Sequence, residues 1–196
     1  VLRNSQGITD QVAAEQVETE LLTVAYVDSF DLPISVQFSI ETIRKMHRNW
    51  LGGFYPTAGE YRTVNVSKGG FMFCPASNIE SEMQRFEREQ LAELTPCSGL
   101  LSEVAFKASV VHAELLLIHP FREGNGRLGR WLADLMVLQA GYPAPDYDLE
   151  DEAKRNTYYA AMRRAYAGDL RPLTSLFLAW IERAQQLPAG LRTTQL

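Results

Sequence analysis

Apolar residues along this chain recur at the spacing of a helix far more often than at that of a strand. Ile40, Ile43, Met46, His47 and Trp50 follow Ser39 on one helical face, and Gly52-Gly53 closes the run, which predicts an amphipathic helix with a serine cap. Val104, Ala108, Val111, Leu115 and Ile118 mark a second buried face. Leu128, Trp131, Leu132, Leu135 and Met136 mark a third, ending near Gly141 and Pro143. An opening helix starts behind Thr9 or Asp10 and runs to about Tyr26. Ser77 and Glu80 have the spacing of a capping box ahead of Ile79, Met83 and Phe86. Helices over about 151–167 and around Leu173, Phe177, Trp180 and Ile181 complete a set of about seven.

One stretch breaks this pattern. Val64 and Val66 alternate with polar residues, Lys68-Gly69-Gly70 offers a turn, and Phe71 and Phe73 alternate again, which reads as a β-hairpin. The expected fold class is all-α with one short β-hairpin flap. A chain of 196 residues suits one domain, expected over 1–187, with 188–196 as a disordered tail.

Charge and composition narrow the partners. A net charge of −5 argues against a general nucleic-acid surface. No apolar run approaches membrane-spanning length and no signal-peptide pattern opens the sequence. Cys74 and Cys97 lie far apart without metal-ligand spacing, so reduced thiols and a cytoplasmic setting are expected.

Against this background the stretch His119-Pro120-Phe121-Arg122-Glu123-Gly124-Asn125-Gly126-Arg127-Leu128-Gly129-Arg130 is unusually rich in chemistry. Pro120 stops the preceding helix and leaves His119 at its C-terminal edge. The helix dipole there favours imidazolium, so a base role requires solvation or a nearby cation. Gly124-Asn125-Gly126 opens the next helix, where free N–H groups and the dipole make an anion site. Arg127 and Arg130 are three apart and share a face, and with Arg122 they form a positive spot on an acidic chain, which favours a small anion over DNA. Glu123 beside them suits Mg²⁺ shared with phosphates. Taken singly, each is a bland feature: a helix-end histidine, a turn, solvated ion pairs. Their joint order points to a polyphosphate beside a metal and a proton acceptor.

The same residues match the motif H-P-F-x-[DE]-G-N-G-R-x-x-R, and the chain resembles the Fic family. The similarity extends to 59–70, to Tyr158-Tyr159, to Gly168-Asp169-Leu170 and to the opening Gly7-Ile8-Thr9-Asp10. The resemblance implies transfer of AMP from ATP to a Tyr, Thr or Ser hydroxyl of a target protein. His119 would be the general base and Glu123 the Mg²⁺ ligand. Gly124, Asn125 and Gly126 would surround the α-phosphate, with the Asn125 side chain helping, and Arg127 and Arg130 would hold the β- and γ-phosphates. Arg122, Lys68 and Gly69 are further nucleotide contacts on this reading. Gly70 and Phe71 belong to the face of the flap that docks the target as an added strand. Tyr158 or Tyr159 would border the adenine.

Many family members carry an inhibitory helix with the pattern Ser or Thr, three residues, then Glu followed by Gly or Asn. Glu15, Glu18 and Glu20 do not satisfy it. A separate small antitoxin-like inhibitor is therefore expected, capturing Arg130, and the chain reads as a toxin or as an effector delivered into another cell. The alternatives are transfer of another nucleotide or phosphate-containing group on the same scaffold, and a non-catalytic module that binds a peptide through the hairpin.

Overall fold

The computed structural model describes residues 1–28 and 35–187, so the expected tail lies outside the described residues. Helix α1 (Gln11–Asp28) begins behind Asp10, whose Oδ1 accepts the Ala13 N–H at 2.8 Å. Helix α2 (Ile40–Leu51) has the predicted serine cap: Ser39 and Thr42 bond reciprocally to each other's backbone N–H. It ends on Gly52. Helix α3 (Ile79–Phe86) runs through a π-helical turn (Glu87–Leu91) into the short α4 (Ala92–Leu94). Then come α5 (Leu101–Ile118), α6 (Asn125–Gln139), α7 (Glu152–Tyr166) and α8 (Arg171–Gln186). With α3 and α4 counted as one rod, the described residues form seven helices.

Two local readings are corrected. The Ser77–Glu80 capping box does not form, because Pro75 starts a 3₁₀ turn over Ala76–Asn78 and α3 leaves from Asn78 without a side-chain cap. The hairpin is also shorter than its alternation suggested. Strand β1 (Ser67–Lys68) pairs antiparallel with β2 (Phe71–Met72), while Val64 is exposed and its carbonyl accepts from Arg62. The turn itself is as read: Gly69 and Gly70 both have positive φ, 57° and 79°, which suits the twist of a two-residue hairpin loop.

The core is one cluster. Helix α5 lies at its centre, against α6 on one side and α8 on the other. Helices α5 and α6 pack tightly at Gly129, where an added Cβ would stand 2.4 Å from Leu116 Cδ1. Phe121 is fully buried and anchors the loop between these two helices, stacked on the His47 ring at 3.9 Å. Packing thus fixes the turn from which the candidate residues project. No described helix is long and apolar enough to cross a membrane.

Candidate active site

His119 ends α5 in the left-handed conformation, φ 53° and ψ 59°, an uncommon state for a residue with a Cβ. Its ring stacks on Phe73 at 3.8 Å with planes 13° apart. Nδ1 lies 3.2 Å from the Leu116 carbonyl. A carbonyl can only accept, so Nδ1 carries the proton and Nε2 is left with the lone pair. Among the described residues Nε2 has no protein partner. Burial pushes the imidazole down to about 4; the Leu116 carbonyl opposes this, and the charges of Arg62 and Lys68 add to it. The dipole of α5 would favour imidazolium, and burial with two cations outweighs it.

The loop beyond Phe121 turns into α6 with Gly124 as its cap at φ 82°. A side chain at Gly124 would meet the Trp50 ring at 2.7 Å, so only glycine fits. The Asn125 side chain is spent inside the loop: Oδ1 accepts the Phe121 N–H at 3.0 Å and Nδ2 donates to the Phe121 carbonyl at 2.9 Å. Asn125 is also 2 % exposed, so what it offers the site is its backbone N–H. The Gly124 N–H is held by Glu123 Oε1 at 2.9 Å. The following amides start a helix and have no intrahelical acceptor, and at Gly126 an added Cβ would meet nothing closer than 3.9 Å. Asn125, Gly126 and Arg127 all line a groove at the surface.

These groups face one groove of about 1240 Å³. His119, residues 122–127 and Arg130 line it from the motif, and Lys68, Gly69 and Phe71 line it from the hairpin. Gly70 is not on its wall. A sequence model described as the Fic/DOC family matches residues 37–137, which contain the hairpin, the loop and most of α6.

The chain belongs to the Fic/DOC family. The protein adenylyltransferase fic-1 of Caenorhabditis briggsae is 36% identical over 163 residues, 81% of this chain and 30% of its own length. The protein adenylyltransferase VbhT of Bartonella schoenbuchensis is 36% identical over 146 residues, 72% of this chain and 30% of its own. The chain thus spans about 30% of the length of these curated relatives. Among solved structures, the N-terminal FIC domain of Bep8 from a Bartonella species has a TM-score of 0.82 at 17% identity, over 96% of this chain and 94% of that one. BepC of Bartonella tribocorum, with bound AMPPNP, has a TM-score of 0.77 at 22% identity, over 92% and 91%. At these identities the two share the fold.

Two residues outside the Fic motif hold it in place: periodicity assigns His47 to ordinary packing, and Glu18 stands out in the sequence only as a glutamate that fails the inhibitory pattern. Buried His47 accepts the Gly59 N–H on Nδ1 at 2.8 Å, so Nε2 is the protonated nitrogen and donates to the Glu123 carbonyl at 3.1 Å. Burial lowers its pKa to about 4, partly offset by that carbonyl. Buried Glu18 of α1 pairs with Arg127 and accepts the Tyr55 hydroxyl at 2.5 Å. Arg127 also lies over Trp50, 4.9 Å from the ring centroid. Arg130, by contrast, has no carboxylate within 4.0 Å among the described residues; its guanidinium lies 5.9 Å from the Tyr147 ring. Glu18 binds the first motif arginine and not the second, so α1 leaves Arg130 to the groove.

Glu123 is the one carboxylate of the Fic motif. It is half-exposed, with Arg127 at 3.9 Å. Among the described residues no three His, Cys, Asp or Glu side chains cluster as a metal site, so a cation here would share Glu123 with ligand oxygens. The far wall of the groove comes from α7. Tyr158 is buried, its hydroxyl 2.9 Å from His112 Nε2, and Tyr159 is 40% exposed.

Proposed function

We propose that this chain transfers AMP from ATP to a Tyr, Thr or Ser hydroxyl of a target protein. One observation carries the reading: the lone-pair nitrogen of His119 opens onto the same groove as the free amides that start α6. His119 takes the hydroxyl proton on Nε2, the oxygen attacks the α-phosphorus, and the bond to the bridging oxygen breaks to release pyrophosphate. The amides of 125–127 stabilise the charge on the α-phosphate, and Arg130 with Arg127 holds the β,γ-tail, assisted by Arg122, Lys68 and Gly69. The Glu123 carboxylate fits Mg²⁺, a hard cation commonly held by one or two carboxylates and substrate phosphates. When bound, it neutralises charge on the phosphates. The anionic tail also opposes the effect of Arg62 and Lys68 on the imidazole and raises its basicity toward neutrality.

The names of fic-1 and VbhT and the nucleotide analogue in BepC support this reading. The target's backbone docks on the hairpin beside Gly70 and Phe71, Tyr159 borders the base, and residues 1–187 act as one domain in the cytoplasm of the producing or a recipient cell. A separate inhibitor's carboxylate would capture Arg130, whose guanidinium has no carboxylate within 4.0 Å among the described residues.

The test is labelling of a lysate with ATP radioactive at the α-phosphate, with His119→Ala as the blank and mass spectrometry of the modified proteins. A mass gain of AMP on protein, lost in the variant while ATP still binds, is expected. Transfer from UTP or GTP instead, or no nucleotide binding by calorimetry, would replace this reading.

A further inference from the structure

Arg62 is 2 % exposed and has no carboxylate within 4.0 Å among the described residues, an expensive way to keep a cation. Its guanidinium is spent on backbone carbonyls. Nε donates to His119 O at 2.7 Å, Nη1 to Val64 O at 2.6 Å, and Nη2 to Cys74 O and to Ile118 O at 3.3 Å. Its own N–H donates to Pro120 O at 2.8 Å. Two of these carbonyls, Val64 and Cys74, lie on the segments that lead into and out of the hairpin, its two legs. Two others, Ile118 and His119, are the C-terminal carbonyls of α5, whose partial negative charge is the counter-ion Arg62 otherwise lacks. The leg that carries Cys74 also carries Phe73, the ring stacked on His119. A left-handed residue with a Cβ persists only where its surroundings over-determine it, and this grip does so.

We propose that Arg62 is a positioning residue for the base: its fork clamps both legs of the hairpin to the end of α5, setting the His119 ring under Phe73 and making the target-docking flap and the base one mechanical unit. This rests on His119 being the base. The groups that act on the ring are then Arg62 from the segment before the hairpin, Lys68 from β1, the Leu116 carbonyl from α5 and the apolar face of Phe73. Lysine cannot replace the fork, because a point charge on a flexible stem does not hold four carbonyls in fixed directions.

The test compares Arg62→Lys and Arg62→Gln with the natural protein by NMR titration of His119, calorimetry with AMPPNP and Mg²⁺, and steady-state AMP transfer. Both variants should bind AMPPNP within about threefold of the natural affinity and lose kcat by about 10²-fold, the low end of a base's contribution. The His119 midpoint should rise in both variants, because a ring released from Phe73 loses the burial that holds it down, and it should rise further in Arg62→Gln, which also removes the charge. Unchanged kcat in both variants, or loss of AMPPNP binding in step with turnover, overturns the proposal. Should both variants fail to fold, the natural protein decides: the amide signals of Phe73 and Cys74 must titrate with the His119 midpoint, and their indifference counts against the clamp. A natural protein that transfers no AMP sinks the proposed reaction, while the midpoints and amide couplings still judge the clamp.

Discussion

Glu18 and Arg127 form a buried ion pair between the opening helix and the phosphate-facing loop, with side chains 3% and 17% exposed. The carboxylate is fixed from its other side by Tyr55, and the Glu18 carbonyl accepts the Trp50 indole N–H at 2.7 Å. Arg127 is therefore clamped between a carboxylate and an indole face and presents its remaining N–H groups in one orientation.

Glu18→Gln leaves Arg127 a partly buried cation whose remaining carboxylate neighbour among the described residues is Glu123, at 3.9 Å. Breaking a buried pair costs about 3–5 kcal/mol, and the low end is expected because Arg127 reaches the groove and its water. A bound triphosphate replaces the missing charge. MgATP should therefore raise the Tm of Glu18→Gln by more than it raises that of the natural protein. Equal shifts in a thermal melt would show that Arg127 does not meet the phosphates.

How much of this was legible follows from how far apart the partners are in sequence. The helices were readable because their periodicity is local, as at Ser39 and along α5. The Fic motif was readable because its groups occupy twelve consecutive positions. His47 looked like a packing residue because its two hydrogen-bond partners lie 12 and 76 positions away, and Glu18 drew notice only as a glutamate outside the inhibitory pattern because Arg127 lies 109 positions on. The Asn125 side chain was read toward the phosphate, but its polar atoms close a ring with Phe121 four positions back. No pattern within one helix encodes such closures. A helical-face reading shows only that a position is inside, not what it touches there.

The bridge made by His47 can be tested separately from folding. His47→Leu leaves the Gly59 N–H and the Glu123 carbonyl unpaired, at about 1–3 kcal/mol for each buried group. Because the loop carries the proposed metal ligand, AMP transfer should need about 10-fold or more Mg²⁺ to reach half-maximal rate, as with other residues that orient a ligand. His47→Gln supplies one donor and one acceptor and should recover much of both. A magnesium requirement unchanged in His47→Leu would confine His47 to packing.

Two motif glycines separate packing from binding. Gly129→Ala puts a methyl 2.4 Å from Leu116 Cδ1 and 3.2 Å from His112 Nδ1, so the Leu116 side chain must turn away and the packed face between α5 and α6 repack, at about 1–3 kcal/mol in a urea melt. Gly126→Ala meets nothing within 3.9 Å and should stabilise the helix by roughly 0.5 kcal/mol. Its methyl stands where a phosphate approaches the amides, so AMPPNP should bind about tenfold more weakly, ~1.4 kcal/mol. Loss of stability without loss of affinity in Gly126→Ala would place the anion site elsewhere.

The dependence of stability on pH should have two limbs with separate owners. All three histidines of the chain, His47, His112 and His119, are held down to about 4, mainly by burial. The unfolded chain protonates them at the ordinary 6.5, so it binds more protons than the folded one between these values. Their contribution is complete above 6.5 and is lost as pH falls through 4, at about 3 kcal/mol for each fully buried ring. Asp134 has the opposite sign. It is fully buried in α6, accepts the Tyr147 hydroxyl at 2.7 Å, and is pushed up to about 8 by burial. Its contribution is complete below the ordinary 3.8 and is lost as pH rises through 8. From 4 to 6.5 the histidines outnumber it and stability climbs. From 6.5 to 8 only Asp134 among these groups still differs between the two states, and stability should fall by about 2 kcal/mol. Urea melts across this range should therefore peak near 6.5, and Asp134→Asn should flatten the alkaline limb while leaving the acid limb in place. An alkaline limb that survives the substitution would show that Asp134 is already ionised in the folded protein.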